Sequence, residues 1–443
     1  MDLADLSASQ LAGMIERGEI TSLELVEACI ARIEAREDAV GAWAHLDLDF
    51  ARRQAAHCDD MHASGAPTGP LHGIPVGIKD IFDTADLPTE NGTVLSKGRT
   101  PDTDSAAVRL LRAAGAVIMG KTVTTELAVY SPGKTRNPHD PERTPGGSSS
   151  GSAAAVAAGM VPLAIGSQTN GSVIRPASFC GVVGFKPTHG RISRAGALAL
   201  SRTLDHVGVF ARSVEDAALI SDCLIAHDPA DPDTKPSAAA RLSEIAGLEP
   251  PMEPRFAFVK SPHWDRAEPD AQEAFQELHE FLGDQSEEVT LPEPFNGAVD
   301  NLRKIMCADL VRYLSGYVAR GEDKLSDVLR GMIEEGKSVT AIDFNESADM
   351  RVHLAGWVKS LGEDFDAILT PATCGEAPKG LDATGDPVFC STWSYLGVPA
   401  VTLPLMQGAN GMPIGVQLIG PRNDDARLLR TARWLAGKVA AEG

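Results

Sequence analysis

The sequence predicts an α/β chain folded as one large domain, a central mixed β-sheet flanked by helices. Three observations carry that expectation. The stretch AAVRLLRAAGAVIMGKT, Ala106 to Thr122, reads as a helix, a glycine stop at Gly115 and a short buried strand, the rhythm of a largely parallel sheet. The stretch GIPVGIKDIF alternates, with Ile74, Val76 and Ile78 on one face and Pro75, Gly77 and Lys79 on the other, as a strand does. The chain shows neither an internal repeat nor a low-complexity tract, so a solenoid or a fibrous protein is excluded.

The elements follow in order. Two helices open the chain, each with a capping box: Ser7 with Gln10, then Thr21 with Glu24. In the second, Leu23, Val26, Ile30 and Ile33 recur at helical spacing and form an apolar stripe that needs a partner surface. Past residue 180, GVVGFKPT predicts another strand and its exit turn. His227 to Ala240 is rich in Pro and Asp and reads as a linker into a charged, helical segment from about 268 to 360. The runs DAILTP, GVPAVTLPL and MPIGVQLIG predict three strands, the last two a hairpin across Asn410 and Gly411, followed by a helix from about Asp424. The domain therefore divides into a helical part (1–70), a core (71–225), a variable helical region (226–360) and returning strands and helix (361–443).

Composition narrows the function. The 443 residues are 43% hydrophobic and 23% charged, with 40 basic against 61 acidic residues and a net charge of −21. That balance argues against a nucleic acid as partner. The start, MDLADLSASQ, lacks the basic and apolar regions of an export signal. The run Ala153 to Gly166 is too short for a bilayer, which takes roughly 20 residues, so no membrane is expected. Seven cysteines without CxxC spacing argue against a disulfide framework or a zinc knuckle and fit a reducing cytoplasm.

Two clusters of glycine and hydroxyl carry the chemistry: RTPGGSSSGSAAA from Arg143 and SQTNGSVIRP from Ser167. A phosphate loop needs GxxxxGK[ST], and neither cluster holds the lysine. A nucleophile elbow, GxSxG, fits Gly147, Ser149 and Gly151 in letters, but it should follow a strand and here follows NPHDPERTP. The third reading joins both clusters to Lys79. A serine attacks only once a base takes its proton, and a lysine kept neutral by burial is such a base. Lys79 ends an apolar strand, and a second serine could relay the proton. Around Gly171, small residues leave backbone N–H groups free to meet an oxyanion, and a helix starting near Ser172 would add its dipole.

The segment GGSSSGSAAAVAAGMVPLAIGSQTNGSVIRPASFCGVVGFKPT resembles the signature of the amidase signature family, close to GGSSGGS…GTDTGGSIR.P…G..G.KPT. GIPVGIKD, TPDTDSAAVRLLRAAGAVIMGKT, TRNPHD, DAILTPAT and GMPIGVQLIGP match the family too, so the resemblance covers nearly the whole chain, most loosely from about 225 to 360. It implies the amidase signature fold and a Ser-Ser-Lys triad with Ser172 as nucleophile, Ser148 as a bridging serine in a cis peptide and Lys79 as base. It places Thr169, Asn170, Gly171 and Ser172 at the oxyanion hole and Ser167 in support. Gln168 stands where Asp is common and Asn170 where Gly is. The form of the two clusters, with TGDP downstream, is most similar to malonamidase-like members.

The expected activity is hydrolysis of a C–N bond in a small linear amide or carbamate through an acyl-enzyme. The alternative is an amidotransferase A-type subunit that releases ammonia from glutamine within a complex; a non-catalytic scaffold is disfavoured by the intact triad. Arg175, one helical turn past Ser172, either grips a substrate carboxylate or supports the fold, and the supporting role is preferred. Tyr130 lies on a loop expected to touch substrate. Ser149 and Ser150 are read as turn formers that cap the following helix, and Cys180 as a buried, inert thiol. No spacing of His72, His139, His189 or His206 supports a Ser-His-Asp triad, and no cluster has metal-ligand spacing. No cofactor and no metal is expected, and a homodimer is the assembly considered.

Overall fold

The computed structural model describes residues 2–442. Eleven strands form one sheet: β1 (Trp43–Leu46), β2 (Pro75–Lys79), β3 (Val117–Thr122), β4 (Leu163–Gln168), β5 (Val183–Lys186), β6 (His206–Ala211), β7 (Phe256–Phe258), β8 (Ser286–Glu288), β9 (Ala367–Pro371), β10 (Ala400–Gln407) and β11 (Pro413–Ile419). Their order is β1-β3-β2-β4-β6-β5-β10-β11-β9-β7-β8. The sheet is mixed, as expected, but not largely parallel. Only β2 with β3 and β4, and β7 with β8 and β9, pair in parallel; the other six pairings are antiparallel. The helix–strand rhythm at 106–122 reported its own neighbourhood correctly. Beyond it, β5 and β6 and then β10 and β11 fold back as antiparallel neighbours, which need no crossover helix.

The helices cover this sheet: α1 (Ala8–Glu16), α2 (Ser22–Val40), α3 (Leu48–Ala63), α4 (Ala106–Ala113), α5 (Ser150–Ala157), α6 (Ile174–Cys180), α7 (Val214–Leu224), α8 (Leu242–Ala246), α9 (Pro269–Leu282), α10 (Ala298–Tyr313), α11 (Ser315–Gly321), α12 (Asp327–Ser338), α13 (Ala341–Leu361), α14 (Val388–Leu396) and α15 (Asp425–Glu442). Both predicted capping boxes are present. The stripe of α2 is centred on Leu25, Val26, Cys29, Ile30 and Ile33, all buried, while Leu23 is only half-buried. Each fully buried Leu, Val or Ile side chain contributes about 1.5–3 kcal/mol of burial. Among the described residues, no helix is long and apolar enough to cross a membrane.

Two features place the site. In the parallel pair β2 and β4, Ile78 lies opposite Ile165, so both strands end on the same edge, with Lys79 closing one and Ser167 and Gln168 the other. Helix α5 then packs close over that edge because Gly151 leaves room: a Cβ there would stand 2.2 Å from the Ala42 carbonyl oxygen and 2.3 Å from the Val123 nitrogen.

The predicted linker has no regular element between Leu224 and Leu242, yet it is pinned. Ser193 donates to Asp228 at 2.7 Å, and Arg194 bridges to Asp231 and Asp233, each at 2.6 Å. The acidic residues that make the stretch read as a linker are the ones that tie it down. The charged region beyond 268 is mostly helical but also supplies β8 to the sheet edge.

Candidate active site

Lys79 is fully buried. Its Nζ donates to Ser148 Oγ at 2.7 Å and to Ser167 Oγ at 2.8 Å. Burial holds its pKa well below the usual lysine value, opposed only by the more remote charge of Asp205. Two other lysines are equally buried, and their partners differ. Lys121 lies 3.2 Å from the Asp80 carboxylate and also donates to Thr89 Oγ1 at 2.6 Å; Lys186 donates to the Val398 carbonyl. Among the described residues, Lys79 is the buried lysine set between serine hydroxyls.

Ser148 follows a cis peptide bond from Gly147. The next residue, Ser149, holds the N-cap position of α5 but makes no capping bond. Its hydroxyl instead donates to the Ser167 carbonyl at 3.2 Å and accepts from the Ser167 N–H at 3.3 Å, which corrects the expectation of a capping serine. Gly166 permits this approach, since a Cβ there would stand 2.6 Å from Ser149 Oγ. The glycine-serine cluster is thereby stitched to the end of β4.

The loop from Thr169 to Ser172 joins β4 to α6, and Ser172 is partly exposed on it. Helix α6 begins at Ile174 rather than at Ser172, and its first N–H groups are already taken. Gln168 Oε1 accepts from Val173 N at 2.7 Å and Ile174 N at 2.9 Å, while Gln168 Nε2 donates to Ser394 Oγ at 2.8 Å. Among the described residues, the backbone N–H groups of Asn170, Gly171 and Ser172 donate to no acceptor in the protein. The side chain of Asn170 is held from both ends, donating to Tyr130 Oη at 2.9 Å and accepting from Ser391 Oγ at 2.6 Å. Ser394 donates to the Asn170 carbonyl. Thr169 Oγ1 donates to Asp205 Oδ1 at 2.6 Å.

Arg175 is 1% exposed. Its Nη2 donates to the Gly147 carbonyl at 2.7 Å and to Thr384 Oγ1 at 3.1 Å, while Nε and Nη1 have no partner. Tyr130, Asn170, Ser391 and Thr384 line a cleft of about 550 Å³ with Arg303 and Met306 of α10. A smaller cavity of about 250 Å³ opens beside Ser167 and Thr169, lined by Phe82, Leu198, Leu200 and Tyr313.

The remaining sequence candidates lie in the framework. Cys180 is buried, donates to the Pro145 carbonyl, and burial pushes its thiol pKa up. His72, His139, His189 and His206 each meet a backbone carbonyl, of Cys58, Cys180, Arg202 and Leu204. Sequence reasoning missed Asp205, Ser391 and Ser394. Ser391 and Ser394 sit among other hydroxyls and aromatics in STWSYLG and Asp205 follows the polar SRTL, so none stands out in the chain, and nothing local pairs them with residues more than thirty positions away.

A buried lysine between serine hydroxyls at the carboxyl edge of a mixed, helix-covered sheet marks a hydrolase of the amidase signature class. The chain belongs to the Amidase family, whose profile matches residues 24–429. It is 35% identical over 490 aligned residues to the glutamyl-tRNA(Gln) amidotransferase A-subunit of Salinispora arenicola (strain CNS-205), covering 99% of this chain and 98% of that relative. In structure it is similar to the peptide amidase from Stenotrophomonas maltophilia, with TM-score 0.85, 28% identity, and 98% and 97% of the two chains covered. It is similar as well to a 6-aminohexanoate cyclic dimer hydrolase, with TM-score 0.86, 28% identity, and 99% and 98% covered. The fold and family expectations hold. The malonamidase-like subgroup is a finer reading that these similarities do not carry.

Proposed function

We propose that the protein is an amidase that cleaves a C–N bond in a small linear amide or carbamate through an acyl-enzyme on Ser172. The observation that carries this reading is Lys79, buried, held below its usual pKa and in contact with Ser148 and Ser167. With Nζ neutral, the 2.7 Å contact reverses its donor and the Ser148 hydroxyl donates to the amine. Ser148 in turn takes the Ser172 proton as Ser172 Oγ attacks the carbonyl carbon. The N–H groups along Thr169 to Ser172 receive the oxyanion, the relay returns the proton to the leaving nitrogen, and water then hydrolyses the acyl-enzyme. The two cavities beside the loop accommodate the two sides of the scissile bond, with Tyr130 at the wall of the larger one. Arg175 acts as a support for the Gly147 carbonyl rather than as a substrate ligand.

A panel of small amides, esters and carbamates tests the reading: turnover by the purified chain, abolished by Ser172→Ala, supports it, and no turnover of any member counts against it. The similarity to amidotransferase A-type subunits over the whole chain favours one second reading, a glutamine-hydrolysing component that works within a complex. Glutaminase activity that appears only with a partner protein, and no hydrolysis of simple amides alone, would select it. A homodimer and a cytoplasmic location complete the proposal and are checked by sedimentation and by fractionation.

A further inference from the structure

A cleft of about 710 Å³ adjoins the smaller cavity, with which it shares Arg202, but neither Ser167 nor Thr169 lines it. It is built from the turn after β5, the pinned 225–237 stretch, α13 and the turn before α15. Among the described residues, its wall carries five cations, Arg191, Arg202, Lys235, Arg351 and Arg422, against one carboxylate, Asp233. Asp233 is already engaged by Arg202 at 3.0 Å and by Arg194 at 2.6 Å. Arg191, Lys235, Arg351 and Arg422 form no ion pair within the described residues, in a chain where acidic residues outnumber basic ones by 61 to 40.

These cations are set in place rather than scattered. Arg351 Nε donates to the Tyr395 carbonyl, which fixes the guanidinium at the cleft wall, while its Nη2 is buried without a partner. Arg191 Nε is likewise buried and unpartnered. Burial and the facing charge of Arg422 together push Arg351 down to about 10. His189, at the same wall, is pushed down to about 3 chiefly by burial, so it stays neutral at physiological pH. Four cations without a carboxylate partner in one concave wall favour an anion there, and an anion with several oxygens satisfies planar two-pronged donors best.

We infer that this cleft is a binding site for a small phosphate-bearing molecule, its phosphate oxygens received by Arg351, Arg422 and Arg191 with Lys235 at the rim. The concave shape and the strongly negative remainder of the chain suit a small anion and disfavour a long polyanion, which the surface would repel. The inference is independent of the reaction proposed for Ser172.

Calorimetric titration of the full chain with inorganic phosphate and with pyrophosphate, against chloride at matched ionic strength, tests it. Arg422 and Lys235 are exposed, so Arg422→Gln and Lys235→Gln leave packing intact; Lys97→Gln, at an exposed cation outside the cleft, serves as the control. Binding with Kd at or below about 1 mM, weakened about tenfold by each cleft variant and unchanged by Lys97→Gln, is expected. No heat up to about 10 mM ligand, or equal weakening by Lys97→Gln, overturns the site. Displacement of phosphate by a short RNA at lower concentration than by pyrophosphate overturns the assignment to a small molecule.

Discussion

Arg175 Nη2 and the carbonyl oxygen of Gly147 lie 2.7 Å apart, so the turn after Ser172 and the peptide before Ser148 are held by one guanidinium. The same nitrogen reaches Thr384 Oγ1, tying in the loop that leads to α14. Arg175→Lys keeps the charge but cannot reproduce this planar reach. We expect a loss of about 1–3 kcal/mol of stability and an equal fall in kcat/KM for an amide bearing a distal carboxylate and for its neutral isostere. A change of more than about tenfold in the ratio of the two, about 1.4 kcal/mol of selective binding, would return Arg175 to the substrate.

Ser172→Ala removes the proposed nucleophile from a partly exposed position where a methyl fits. Labelling by a fluorophosphonate probe, read by intact mass, should disappear while the melting temperature stays unchanged. A variant labelled to wild-type stoichiometry would assign the nucleophile elsewhere.

The proposed base, Lys79, can take a proton only when neutral, and burial lowers its folded-state pKa. Turnover should therefore rise as pH climbs through that lowered value and level off above it, at a pH below the ordinary lysine range. Lys79→Ala should cost about 10²–10⁴-fold in acylation rate and flatten the profile. A stopped-flow acylation rate within tenfold of wild type would remove Lys79 from the mechanism.

Gln168 caps α6 and reaches Ser394 at once. In Gln168→Ala the N–H groups of Val173 and Ile174 lose their acceptor, for a cost of about 1–3 kcal/mol. Because Ser394 also holds the Asn170 carbonyl, kcat should fall more than KM changes. Thermal melts with steady-state kinetics check both, and a variant as stable and active as wild type would show the cap to be dispensable.

Asp309, which accepts from Ser201 Oγ at 2.5 Å, is pushed up to about 6 by burial. An unfolded aspartate titrates near 3.9, so the folded state holds this proton more tightly. Its contribution to stability is full below about pH 4 and is lost as pH rises through about 6. Asp309→Asn keeps an acceptor for Ser201 without the charge, and should melt higher than wild type at pH 8 with no gain at pH 3. Parallel melting curves at the two pH values would mean that the carboxylate carries no such burden.

What the chain settles by itself is local. Ser7 and Thr21 start helices because their hydroxyls meet N–H groups three residues on, β2 follows from period-two apolar patterning, β3 from a short apolar run after the stop at Gly115, and the hairpin from the turn at Asn410 and Gly411. The resemblance carried by the signature and by GIPVGIKD likewise points to Lys79, Ser148 and Ser172 from sequence alone. Tertiary structure alone decided the rest. The order of eleven strands sets Lys79 next to Ser167, brings Ser391 and Ser394 of α14 to Asn170, gives Asp205 to Thr169 and gives Gly147 to Arg175. A buried polar side chain must find a partner, but its type and spacing do not say which distant residue will supply one. That choice belongs to the packing of elements far apart in the chain.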